Sequence, residues 1–100
     1  EDASPLISAQ RELLEETGYG NGTWQEYMQI SPNPSTHTNI TYCFLATDVE
    51  KISEQHLEDT ESLSVHLLTL AEVKELLQKG EIKQALMAAP LWKYIAEKGL

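Results

Sequence analysis

The chain has 100 residues, a formal net charge of −9 and a single cysteine. That length holds at most one domain with a modest core. The acidic balance argues against a nucleic-acid backbone or an anionic membrane as the main partner, and one cysteine excludes an internal disulfide framework. No run of apolar residues is long enough to span a bilayer or to resemble a signal segment, and the expected compartment is the cytoplasm.

In chain order, residues 1–4 are a polar lead. Ser4-Pro5 is a helix start: a side-chain acceptor at the N-cap, then a proline with φ already fixed. The helix is expected over about 5–17, stopped by Gly18, where a left-handed residue is favoured. Gly18 to Gly22 reads as a loop. A strand is expected over about 23–30 from Trp24, Tyr27, Met28 and Ile30. Pro32 and Pro34 withhold donors and make the next stretch a loop. A second strand, over about 38–49, has two apolar faces, as a central strand covered on both sides would. Residues 50–61 are polar and acidic, which suits an exposed loop. Over about 62–70, Leu63, Val65 and Leu67 alternate with Ser64, His66 and Leu68, a strand pattern with one wetter face. Thr69-Leu70-Ala71-Glu72 is a capping box opening a helix over about 71–79. A last helix is expected over about 82–97, kinked or restarted at Pro90.

The first helix carries the chemistry. At about 100° per residue, Glu12, Glu15 and Glu16 share an arc of roughly 100°, with Arg11 at its edge. Leu6, Ile7, Ala9, Leu13 and Leu14 take the opposite side, an apolar face to bury. Like charges at these spacings cost about 1 kcal/mol together, a repulsion that a divalent cation would turn into coordination. Mg²⁺ prefers hard oxygen ligands and keeps some waters. Acidic helix faces are also commonly just solvated, and the carboxylates alone do not decide the matter.

The whole string decides more. Arg11-Glu12-Leu13-Leu14-Glu15-Glu16-Thr17-Gly18-Tyr19 resembles the second half of the Nudix box, in which Arg-Glu, an aliphatic residue, any residue, Glu-Glu, any residue, Gly and an aliphatic residue follow one another. Tyr19 stands for the last aliphatic position. The front half is out of register: Ala3 falls where the family has its first glutamate. The Pro-containing loop, the strand ending Phe44-Leu45-Ala46 and the stretch Lys79 to Ala85 are similar to the ADP-ribose pyrophosphatase branch.

The resemblance implies an α/β fold, the Nudix-type α/β/α sandwich with a mixed sheet, of which residues 1–100 form a single partial domain lacking the N-terminal strands. It implies an enzyme: a Mg²⁺-dependent pyrophosphohydrolase, with Mn²⁺ as a possible substitute, acting on a nucleoside diphosphate linked to another group, such as ADP-ribose or a nucleotide sugar. Glu12, Glu15 and Glu16 match the metal-binding positions. Arg11 matches a residue that orients a glutamate, and Gly18 supports the site. Glu12 also matches a general base in some members, while Glu61, then Glu58, are the candidates on a later loop. The implied assembly is a homodimer. The alternative is a non-catalytic Nudix-like module that binds a nucleotide or a protein.

The remaining residues have plainer readings. Cys43 lies in an apolar strand and is expected to pack. His37, His56 and His66 share no zinc-ligand spacing. Trp24 and Trp92 suit core packing or an interface better than base stacking. The glycosylation-type triplets at Asn21 and Asn39 are read as chance matches.

Overall fold

The computed structural model describes residues 4–31, 40–57 and 63–99. The elements are α1 (Pro5–Thr17), β1 (Tyr19–Gly20), β2 (Thr23–Ile30), β3 (Thr41–Thr47), β4 (Glu50–Lys51), α2 (Leu70–Gln78) and α3 (Ala85–Glu97). The class is mixed α/β. The strands form two sheets of two, β1 with β4 and β2 with β3. The β1–β4 pair is antiparallel, with Tyr19 opposite Lys51 and Gly20 opposite Glu50. In the other sheet the Thr47 hydroxyl donates to the Thr23 carbonyl at 3.5 Å, so the end of β3 lies beside the start of β2 and this pair is antiparallel too. The chain divides into two compact units, Glu1–Tyr27 with Phe44–Val65, and Met28–Cys43 with His66–Leu100.

In the first unit, α1 begins and ends by local chemistry. Ser4 is extended (φ −148°) and its hydroxyl accepts from the Ile7 amide at 3.2 Å. Pro5 then occupies the first turn, where its missing N–H costs nothing. At the other end Gly18 has φ 82°, and its amide donates to the Leu14 carbonyl at 2.8 Å. Asn21 (φ 58°) and Gly22 (φ 80°) follow as two successive left-handed residues, a pairing typical of type I′ turns, which Asn-Gly favours. The Trp24 indole N–H closes this turn onto the Asn21 carbonyl at 2.8 Å.

The apolar side of α1 is covered only in part, with Ala9, Leu13 and Leu14 half-buried. No α1 residue is fully buried, and Leu6 and Ile7 are 36% and 48% exposed. A two-residue strand, about 7 Å long, cannot cover a helix about 20 Å long. The second strand differs from expectation in the same sense: β3 is shorter than 38–49 and sits in a two-stranded sheet, so none of its residues is fully buried. The Pro32 and Pro34 loop lies outside the described residues.

In the second unit the capping box forms as its four residues dictate. The Glu72 amide donates to the Thr69 hydroxyl at 3.1 Å, and the Thr69 amide donates to the Glu72 carboxylate at 2.8 Å. The last helix starts at Ala85, later than expected, and runs unbroken through Pro90 to Glu97. Pro90 removes one donor from the helix interior without ending it. Among the described residues, Leu77 of α2 and Ile95 of α3 are the buried hydrophobic ones, at 6% and 2% exposure.

The strand expected over 62–70 does not form. Residues 63–69 have no regular structure, and Leu63, Val65 and Leu67 are 46%, 41% and 78% exposed. Alternation marks a strand only where a neighbouring strand completes the ladder, and none does so here among the described residues.

Candidate active site

The three glutamates sit toward the C-terminal end of α1. Glu12 is exposed and Glu15 and Glu16 are half-buried. Arg11 donates to the Glu15 carboxylate at 3.0 Å, one helical turn away. Both side chains are close to half exposed, so this pair adds only about 0.3–0.5 kcal/mol of stability. The contact runs along the helix surface, from the Arg11 guanidinium to one oxygen of the Glu15 carboxylate.

The last turn of α1 is held by a segment far along the chain. A helix leaves its final carbonyls without partners of its own. Here the His56 amide donates to the Glu15 carbonyl at 2.7 Å. The Gln55 side-chain amide donates to the Glu16 carbonyl at 2.8 Å, 39 positions away in sequence. The amides of Ile52 and Ser53 both donate to the Gly18 carbonyl, at 2.7 and 3.1 Å. Thr17 turns its hydroxyl back to the Leu13 carbonyl at 2.7 Å, and that hydroxyl accepts from the Tyr19 amide at 3.0 Å. The β1–β4 pair brings residues 52–56 to this position. A side chain at residue 18 would overlap the Ser53 carbonyl oxygen and lie 2.8 Å from Lys51 Cε, so glycine here serves both the helix stop and the close approach of the segment.

Sequence reasoning did not find Gln55 or this segment. The donors are mostly backbone amides, which every sequence has, and only the tertiary fold aims them. Glu58 and Glu61 lie outside the described residues.

The donor chemistry of Glu12, Glu15 and Glu16 suits a hard divalent cation. Among the described residues, no three His, Cys, Asp or Glu side chains gather closely enough to hold a metal ion by themselves. A cation that takes one or two carboxylates and completes its shell with water and phosphate, as Mg²⁺ commonly does, needs no such group of three.

A depression of about 310 Å³ lies beside α1, lined by Gln10, Leu14, Trp24, Ile52 and the Gly20–Gly22 turn. At about 100° per residue, Gln10 and Leu14 face away from the three carboxylates. The depression and the acidic face are on opposite sides of the helix. Cys43 is half-buried on β3, and burial pushes its thiol above the ordinary range; it has no place in the site.

A family model described as NUDIX domain matches residues 1–89. The chain belongs to the Nudix family. The string that resembles the second half of the Nudix box, Arg11 to Gly18, is carried on α1 with its glycine at the helix stop. The GDP-mannose pyrophosphatase of Enterobacter sp. (strain 638) is 25% identical over an alignment of 99 residues that covers 97% of this chain and 51% of that protein. The chain thus spans about half the length of this curated relative. Among the described residues, no helix is long and apolar enough to cross a membrane.

Proposed function

We propose that this Nudix protein is a Mg²⁺-dependent hydrolase of a nucleoside diphosphate linked to a further group, with ADP-ribose or a nucleotide sugar as substrate. The observation that carries this reading is the ordered string Arg11 to Gly18 on an accessible helix face whose last turn is pinned by residues 52–56. The relative's activity on GDP-mannose, as its name states, supports the nucleotide-sugar class.

The reaction places water oxygen on one phosphorus and breaks the bridging P–O bond, leaving a nucleoside monophosphate and a phosphorylated second product. A chain of charge −9 repels such a substrate until cations offset the carboxylates. One or two of Glu12, Glu15 and Glu16 would hold the cation, which would supply charge neutralisation at phosphate and a more acidic bound water. Arg11 pairs with the Glu15 carboxylate in the contact already described. Glu61, then Glu58, are the candidates to accept the proton from water, and Glu12 matches a position that serves as general base in some members of the family.

The test is hydrolysis of ADP-ribose and GDP-mannose by the protein, with and without Mg²⁺. Glu15→Gln and Glu16→Gln each lower turnover by about 10²-fold or more, with melting temperatures near that of the parent. Retained activity in both variants removes the metal assignment. The second reading, a non-catalytic nucleotide- or protein-binding module, has its support in Ala3, which stands where the family has a glutamate. It is distinguished by nucleotide binding without turnover.

A further inference from the structure

We propose that Asn21 is a site of spontaneous deamidation, and that its conversion loosens the β1–β4 tie behind the box helix. The proposal stands on the turn at Asn21-Gly22 and is independent of the hydrolase reading.

The reaction is intramolecular. The deprotonated Gly22 amide nitrogen attacks Cγ of Asn21, the Cγ–Nδ2 bond breaks, and the side-chain nitrogen leaves as ammonia. Water then opens the succinimide ring. Opening at Cγ gives aspartate. Opening at the main-chain carbonyl gives isoaspartate, whose backbone runs through the former side chain. A glycine after the asparagine leaves the attacking nitrogen unshielded. The other asparagines, Asn33 and Asn39, precede Pro34 and Ile40. Proline has no N–H to lose, and the branched side chain of isoleucine crowds its own amide.

The fold leaves this step open at residue 21. Asn21 and Gly22 are both exposed, so water reaches the ring and ammonia escapes. The Trp24 indole N–H donates to the Asn21 carbonyl at 2.8 Å. That carbonyl shares a peptide with the Gly22 nitrogen, and a donor on its oxygen favours the deprotonated, negatively charged peptide. One contact opposes the attack: Asn21 Nδ2 donates to the Glu50 carboxylate at 3.2 Å in an exposed position. The side chain must leave it to fold back on Gly22. A bond at the long end of the usual range and open to water is a weak restraint.

The products do not fit the turn. Aspartate at residue 21 sets a carboxylate against the Glu50 carboxylate, so a hydrogen bond becomes a repulsion. Isoaspartate also lengthens the main chain by a carbon where Gly22 is already pressed against the next turn. A Cβ on Gly22 would lie 2.5 Å from the Thr47 carbonyl oxygen and 2.9 Å from Val49 Cγ1. Gly20 pairs with Glu50 and Tyr19 with Lys51, just ahead of the Ile52, Ser53 and His56 amides that hold the end of α1. Damage at one exposed turn therefore reaches the box helix through a two-residue ladder.

The experiment ages the protein in alkaline buffer at physiological temperature and maps its peptides by mass spectrometry, with protein in urea as the unfolded reference. Melting temperature and hydrogen exchange at residues 52, 53 and 56 are read before and after. Asn21→Gly suits the φ of 58° and has no amide to lose; Asn21→Asp carries the charge without the longer backbone. The expected result is conversion at Asn21 ahead of Asn33 and Asn39, faster by about 2–10-fold in Glu50→Ala, which frees the side chain. Asn21→Asp melts about 1–5 °C below the parent, and adding Glu50→Gln recovers most of that loss. The aged parent melts below Asn21→Asp and exchanges faster at residues 52, 53 and 56, while aged Asn21→Gly matches its own fresh sample. An intact Asn21 in the folded protein beside conversion in urea overturns the proposal, as do equal rates at the three asparagines. Conversion that leaves melting and exchange unchanged overturns the loosened tie.

Discussion

Substituting Gly18 separates two demands that one glycine meets at the end of the box helix. Its φ of 82° costs an L-residue about 1–2 kcal/mol. An added Cβ would also overlap the Ser53 carbonyl oxygen, so Gly18→Ala has to push residues 52–53 away. That movement strains the two bonds from the Ile52 and Ser53 amides to the Gly18 carbonyl, now 2.7 and 3.1 Å, worth about 1 kcal/mol each. The sum is about 3–4 kcal/mol, or roughly 15–20 °C in melting temperature for a domain of this size. Gly80 supplies the comparison. It has φ 74° and nothing within 4 Å of a built Cβ. Gly80→Ala therefore carries only the conformational cost and lowers melting by about 5–10 °C. Thermal unfolding followed by circular dichroism reads both variants. Equal losses at the two positions would refute the claim that the segment at 52–53 packs against Gly18.

Thr69→Ala removes the acceptor half of the capping box and is expected to cost about 1 kcal/mol, read by urea denaturation. Ile95→Ala empties a position that is 2% exposed and should cost about 2–4 kcal/mol, whereas Leu67→Ala, at 78% exposure, should stay within about 0.5 kcal/mol. Cys43, whose thiol burial pushes up, should alkylate more slowly with iodoacetamide in the folded protein than in urea. Because the neutral thiol is the form favoured by folding, its contribution is fully present below the unfolded pKa of about 8.5 and is lost as pH rises through the folded value. The stability difference between the parent and Cys43→Ser therefore falls on the alkaline side, as melts at a series of pH values would show.

Local chemistry made the helix boundaries legible. Ser4, Pro5 and Gly18 each act within a few residues of themselves, and α1 runs from Pro5 to Thr17 between them. Thr69 and Glu72 satisfy each other and need nothing else. The strand expected at 62–70 is not formed by residues 63–69, because alternation says which face could be buried and not whether a partner strand lies alongside. Leu63, Val65 and Leu67 have the pattern without the partner. The apolar side of α1 was overestimated for a similar reason: Leu6 and Ile7 have the right spacing, but the neighbouring strand is only two residues long. In the site, the Arg11 and glutamate positions could be read as a motif. Gln55 could not, since a lone polar residue in an acidic stretch gives no hint of the carbonyl it will meet 39 positions back.

The dependence of α1 on residues 52–56 also has a temporal side. A helix of 13 residues is marginal in water on its own, and its final turn gains outside donors only when a loop spanning 39 positions closes. Loop closure carries an entropic cost that must be met before the contacts repay it. During synthesis, α1 leaves the ribosome well before residues 52–56 exist, so the carbonyls of Glu15, Glu16 and Gly18 are hydrated until the later segment arrives. Thereafter the two should open and close together, giving matched hydrogen-exchange protection at the end of α1 and in residues 52–56.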